Sequence, residues 1–181
     1  MLNWLLAALD LLLLLGLWGY GLLAYEKLPD RIPTHFDLQG NALAWGAKSS
    51  LLQVLLIFSG LAAFIVALSA LTLRDARLTW LNVPHKDRLL RLPPAARQEA
   101  LSVVWGFLWA LLLAVLLVAW LITWMMARYA HGTPLPGGLV IAGWVLILAY
   151  LVLLASLLGR SLRGVLERLE DRQGRGQAPS H

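Results

Sequence analysis

A chain of 181 residues that is 60% hydrophobic and only 14% charged is not a soluble globular domain, which carries about a quarter charged residues. The formal charge of +5 would suit a nucleic-acid binder, but its placement, traced below, argues against one. With no cysteine, disulfides, thiolate metal sites and cysteine nucleophiles are all excluded.

The apolar residues fall into four runs, and a helix needs roughly 20 residues to cross the hydrocarbon core. The first, Met1–Tyr25, is interrupted only by Asn3 and Asp10. It has no Lys/Arg n-region and no A-x-A-like site before Glu26, so it is read as a retained helix rather than a signal peptide. A central Asp costs about 2.5–3.5 kcal/mol on insertion, whereas each Leu returns about 0.5, so the leucines here carry Asp10 into the membrane. Asn3 and Asp10 lie seven residues apart and share a helix face, which should point at neighbouring helices. Asp10 is thus a candidate proton or cation site, or simply a carboxyl kept neutral or bonded to water.

Residues 26–48 form a polar, aromatic-bearing loop. Pro29 and Pro33 bias their predecessors to extended geometry, so Leu28–Thr34 should run as an extended arm. Asp37-Leu38-Gln39-Gly40 has the Asp and Gly positions of a type I turn. Trp45 should anchor at headgroup level, just before Lys48 and the second span. Phe36 and Trp45 are apolar enough to bury against the helix ends, which predicts an ordered cap rather than a linker. His35 and Asp37, two apart, would share one side of an extended segment.

The second run, Ser49–Leu73, carries Gly60, Ala63, Ala67 and Ala70 at spacings of three or four, a stripe on which a neighbouring helix can pack closely. Residues 74–99 form a basic connection; Leu89, Leu90 and Leu92 among its cations suggest an amphipathic piece on the membrane surface. Pro93-Pro94 breaks it, and Pro94 suits the first turn of the helix leading into the third run, Ala100–Ala127. A short loop, Arg128–Pro136, joins this to the fourth run, Gly137–Gly159. The tail, 160–181, alternates basic and apolar residues through Arg172, and Gly174–His181 reads as disordered.

Topology follows from the cations. Arg74, Arg77, Lys86, Arg88, Arg91 and Arg97 lie in the middle connection, and Arg160, Arg163, Arg168, Arg172 and Arg175 in the tail. The other two connections hold only Lys27, Arg31 and Lys48, and Arg128. The positive-inside rule then places both termini and the middle loop in the cytoplasm, with loop 26–48 outside. The basic segments favour anionic lipid headgroups at about 1 kcal/mol per residue, a better account of the charge than nucleic acid. The expectation is an all-α integral membrane protein: a four-helix transmembrane bundle with an ordered outer loop between helices 1 and 2. Its parts are an N-terminal hairpin (1–73), the basic loop (74–99), a second hairpin (100–159) and the tail.

Catalytic chemistry finds little support. Glu26, Asp30 and His131 share the loop side with His35 and Asp37, and His with carboxylate is zinc-compatible, but there is no H-E-x-x-H or second local ligand pair. His35 and Asp37 are better read as bonding the loop's own backbone. Ser49 and Ser50 lie in no G-x-S-x-G pattern, and no glycine loop cradles a phosphate. No metal, cofactor or enzyme activity is expected.

The run Leu28–Lys48 resembles the signature of a family of small bacterial membrane proteins grouped as a domain of unknown function, whose relatives are the SdpI-like toxin-immunity and signalling proteins. The pattern, approximately L-P-x-x-I-P-x-H-F-x-x-x-G-x-P-D-x-W-G-x-K, is matched at Leu28, Pro29, Ile32, Pro33, His35, Phe36, Gly40, Trp45, Gly46 and Lys48. The likeness covers roughly residues 5–70; Leu81-Asn82-Val83-Pro84 is similar to longer four-span members. Ala42-Leu43 stands where the pattern has Pro-Asp. The resemblance implies a non-enzymatic inner-membrane protein responding to an envelope-active peptide or another membrane protein. A small transporter or channel-like subunit using Asp10 is the alternative, and a membrane-embedded hydrolase a distant third.

Overall fold

The computed structural model describes residues 2–74 and 86–176. In chain order these form α1 (Leu2–Lys27), β1 (Arg31–Phe36), β2 (Ala42–Ala47), α2 (Ser49–Arg74), α3 (Lys86–Arg91), α4 (Pro94–Ala130) and α5 (Gly137–Gly176). Four of the helices, α1, α2, α4 and α5, are long and apolar enough to cross a membrane. At 1.5 Å per residue even the 26-residue α1 and α2 reach about 39 Å, against a hydrocarbon core of about 30 Å.

Helix ends follow local chemistry. Pro94 opens α4, where its missing N–H is no loss, and Arg97 N donates to Pro93 O at 2.9 Å. Gly132, at φ +69°, ends the same helix in the left-handed region, and Thr133 N donates back to Arg128 O at 3.0 Å. Pro136 then precedes α5, with Val140 N donating to its carbonyl at 3.3 Å.

The packing is centred on α4. It lies against α1, α2, α5 and β1, whereas α5 packs chiefly on α4. The largest cluster fills the end away from the β-hairpin, with Ala62 and Ile65 of α2, Leu101, Val104 and Leu108 of α4, and Leu162 and Leu166 of α5. At the other end Leu28, Ile32, Leu51 and Met126 form a second cluster, beside Leu17, Leu55 and Ala119. Two buried hydroxyls satisfy themselves locally: Ser69 Oγ donates to Ile65 O at 2.9 Å and Thr72 Oγ1 to Leu68 O at 2.7 Å.

Several expectations need correction. The small-residue stripe of α2 does not pack: Gly60, Ala63, Ala67 and Ala70 are exposed, and the buried face is Leu51, Leu55, Ala62, Ile65 and Ser69. Leu89 and Leu92 are not laid on a membrane surface but are fully buried in the main cluster, with Leu90 half-buried. Arg97 Nη2 pins this segment to α4 by donating to the carbonyls of Leu90 (2.8 Å) and Leu92 (3.0 Å). The tail helix is continuous with the fourth span through Gly176, so residues 174–176 are helical; Leu162, Val165, Leu166 and Leu169 turn inward while Arg160, Arg163 and Arg168 stay exposed. Arg77, the stretch Leu81–Pro84, His85 and residues 177–181 lie outside the described residues.

Candidate functional site

The segment expected as an extended arm and turn is a two-stranded antiparallel hairpin, β1 against β2. The second strand was invisible to pattern reading because Ala42–Ala47 offers no β-branched residue and no clean alternation. Pairing runs Arg31–Ala47, Ile32–Gly46 and Pro33–Trp45, then slips at Thr34 and again before Phe36–Ala42. These irregularities act as bulges and reset which side each residue faces. Ile32 and Pro33, ahead of the slips, are both buried, whereas beyond them His35 is exposed and Phe36 half-buried. Gly46 is needed at this point, since a Cβ there would stand 2.8 Å from Thr34 Cγ2.

Asp37 organises the turn. Gly40 N donates to Asp37 O and Asp37 N to Asn41 O, each at 3.0 Å, while Asn41 gives its backbone N–H to Oδ1 and its side-chain N–H to Oδ2, each at 2.8 Å. Those donations, the side chain's first, hold the Asp37 carboxyl below the usual carboxylate range. Gly40 completes the turn at φ +87°, open to glycine and strained for other residues. It is buried against Val140, and Gln39 O lies 3.1 Å from where a Cβ of Gly137 would stand, so the turn sits on the first turn of α5. At the base, Lys48 N donates to Asp30 O at 2.9 Å and the Lys48 ammonium stands 5.2 Å from the centre of the Tyr25 ring.

The hairpin is thereby clamped down rather than projecting free. Phe36 packs on Tyr129 with ring centres 5.5 Å apart, and reaches the group formed by Met125, Leu135 and Val140. Trp45 does not bury against the bundle, being 47% exposed. Pro29 is exposed where the chain leaves α1. Between β1 and the ends of α4 and α5 lies a cavity of about 530 Å³, lined by Thr34, His35, Phe36, Asp37 and Leu38 with Ile122, Met125 and Trp144. This volume is in the range of small-molecule and side-chain sites. His35 and Asp37 both line it, although Asp37 is committed to Asn41 and His35 Nδ1 bonds Thr34 Oγ1 at 3.2 Å. Ile122, Met125 and Trp144 escaped sequence reading because nothing separates them from their apolar neighbours until the hairpin folds over them. Among the described residues no three His, Asp or Glu side chains gather as metal ligands, and Glu26, Asp30 and His131 stay at the surface.

Asp10 lies elsewhere, in the face of α1 turned toward α4. It is 2% exposed, and neither carboxyl oxygen has a hydrogen-bond partner among the described residues. Asn3, on the same face, donates from Nδ2 to Ser102 O at 3.0 Å. A buried carboxyl without donors costs several kcal/mol if ionised, so its retention by packing alone is not self-explanatory.

Residues 12–59 match the domain of unknown function DUF1648, a span running from the middle of α1 through the hairpin into α2 and excluding Asp10. The chain is also 35% identical over 78 residues to an uncharacterized protein of Archaeoglobus fulgidus. That similarity covers 42% of this chain and 43% of the relative, so the chain spans less than half the length of the protein it matches. No solved structure matches the chain. Together with the four membrane-length helices, these findings describe a membrane-type helical protein carrying a segment like that domain.

Proposed function

We propose that this chain is a non-enzymatic protein of the bacterial cytoplasmic membrane, with both termini inside and the hairpin outside, that binds an envelope-active peptide in a protective or signalling role like that of the SdpI-like proteins. The observation that carries the reading is the groove of about 530 Å³ beneath a hairpin held down by Gly40, Phe36 and Ile32. A linker has no need of a turn locked on both sides. An apolar peptide side chain would enter between Leu38 and Trp144, while the exposed β2 edge offers backbone groups to an extended partner. The cation asymmetry supports the orientation, and the exposed Arg160, Arg163 and Arg168 would meet anionic headgroups of the inner leaflet.

The test is sensitivity of a deletion strain to secreted envelope-active peptides, complemented with wild type or Leu38→Asp. Leu38 is 73% exposed, so the charge alters the groove mouth without a folding cost. Wild type should protect and Leu38→Asp should not, at equal membrane levels; equal protection would remove the groove from the function. The second reading, a small transporter or channel-like subunit, has the burial of Asp10 in its favour. It requires cation or proton flux in proteoliposomes that Asp10→Asn abolishes.

A further inference from the structure

Four Lys/Arg residues lie at the hairpin end of the chain, and two of them serve the hairpin: Arg31 donates to Trp45 O at 3.4 Å and Lys48 stands over the Tyr25 ring. The other two, Lys27 and Arg128, sit in the last turns of α1 and α4 and line one cavity of about 230 Å³ together with His131. No Asp or Glu lines it, and the side chains of Lys27 and His131 make no hydrogen bond or ion pair among the described residues. Arg128 is held in place: its Nε donates to Thr133 O at 3.0 Å, and Thr133 Oγ1 donates back to Arg128 O at 3.2 Å, which leaves the terminal guanidinium N–H groups for another acceptor. Tyr20 lines the same cavity, its ring packed on Trp120 with centres 5.5 Å apart. Its accessible hydroxyl makes no hydrogen bond among the described residues.

Depth decides what kind of anion suits these donors. Lys27 and Arg128 close membrane-length helices, so both stand at headgroup level. Leu23, in the same cavity, lies four residues or about 6 Å deeper and is 65% exposed. Gly16, seven residues further down on the same face, is exposed as well, so an open track descends from the cations into the hydrocarbon. We infer that this cavity binds the phosphate of an anionic phospholipid, with an acyl chain laid along Leu23 and Gly16. The phosphate oxygens would accept from Arg128 and Lys27 beside His131, and the Tyr20 hydroxyl would donate to an ester carbonyl below. Cations near helix C-termini also suit the macrodipole, but that role needs neither a shared cavity nor a track open to lipid. A free phosphate would use the same cations and leave the track and Tyr20 without a partner. The inference stands apart from the hairpin reading, since no residue is shared by the two cavities.

The test is native mass spectrometry of the full chain released from detergent, titrated with palmitoyl-oleoyl phosphatidylglycerol and, separately, with phosphatidylcholine of the same chains. The first phosphatidylglycerol should bind saturably and at least about fivefold more tightly than phosphatidylcholine. Lys27→Gln and Arg128→Gln should each weaken it about fivefold, whereas Arg160→Gln, which removes an exposed cation at the opposite end, should not. Arg128→Gln also loses the bond to Thr133 O, so Lys27→Gln decides the matter if Arg128→Gln does not fold. Equal binding of the two lipids, unchanged affinity in Lys27→Gln, or an equal loss in Arg160→Gln would reveal general charge attraction and overturn the inference. The second arm is inorganic phosphate, measured by calorimetry on the same sample, where weak or undetectable binding is expected. Phosphate binding as tight as the lipid's, with the same dependence on Lys27, would make this a free-anion site and overturn the lipid assignment.

Discussion

Replacing Gly40 by alanine strikes the hairpin at its most constrained point. The residue has φ +87°, and an L side chain in the left-handed region costs about 1–2 kcal/mol. Its new Cβ would stand 2.8 Å from Val140 Cγ2 and 3.3 Å from Val140 Cβ and Cγ1, and overpacking of that kind costs about 1–3 kcal/mol. The combined penalty, about 2–5 kcal/mol, falls on the docked hairpin and not on the helices. At 1.4 kcal/mol per tenfold, the equilibrium for hairpin opening should rise at least about thirtyfold. Hydrogen exchange followed by mass spectrometry in micelles reads this directly: amides in residues 31–47 should lose protection while those of mid-α2 and mid-α4 keep theirs. Val140→Ala removes the two methyl groups that the new Cβ meets, so Gly40→Ala should cost less in that background, leaving mainly the backbone part. Wild-type protection of the hairpin in Gly40→Ala would refute the idea that this turn, seated on α5, holds the hairpin down.

Phe36→Ala removes a half-buried ring in tilted contact with Tyr129; a loss of about 1–3 kcal/mol should lower membrane accumulation and loosen the same hairpin amides. Asp37 is held below its ordinary range, so its support of the turn is present above about pH 4 and is lost as the pH falls through the lowered value. The Asn41 amide resonance should therefore titrate below the usual Asp range, and Asp37→Ala should abolish that titration. Asp10→Leu should leave thermal stability unchanged or raise it, because an unpartnered buried carboxyl gives way to a hydrocarbon; a large fall would mean that Asp10 has partners in the membrane. Cysteine introduced at Gln39 should react with an impermeant thiol reagent in intact cells and one at Ser180 should not, and the reverse would invert the topology.

Spans were legible because length and hydropathy suffice to define them; orientation about their axes was not. Helices apolar on every side carry little inside–outside contrast, so the Gly60–Ala70 stripe drew attention while the buried face ran through Leu51, Leu55, Ala62 and Ile65. The turn at Asp37–Gly40 was readable from residue types with a local mechanism, whereas β2 had none. Leu89 and Leu92 show a related blindness: a leucine among arginines looks the same whether it meets lipid or, as here, closes the end of a bundle. The groove beneath the hairpin was half legible, in Thr34–Leu38, and half hidden in the later helices.

That division bears on how the molecule can be made. The matched segment, 12–59, ends well before α4 begins, yet Ile32 and Phe36 are covered by Met126 and Tyr129, and Gly40 by Val140. While a ribosome delivers α1 and α2 to the membrane, the hairpin has Leu28 and Leu51 to meet Ile32 but nothing yet of α4 or α5 to cover Phe36 and seat Gly40. Its docking waits for the last two spans, so the order of synthesis runs against the order of need. A truncated chain ending after α2 would present the recognisable sequence without the seated structure, and any relative sharing only that segment must find a substitute for α4 elsewhere, in its own remaining chain or in another subunit.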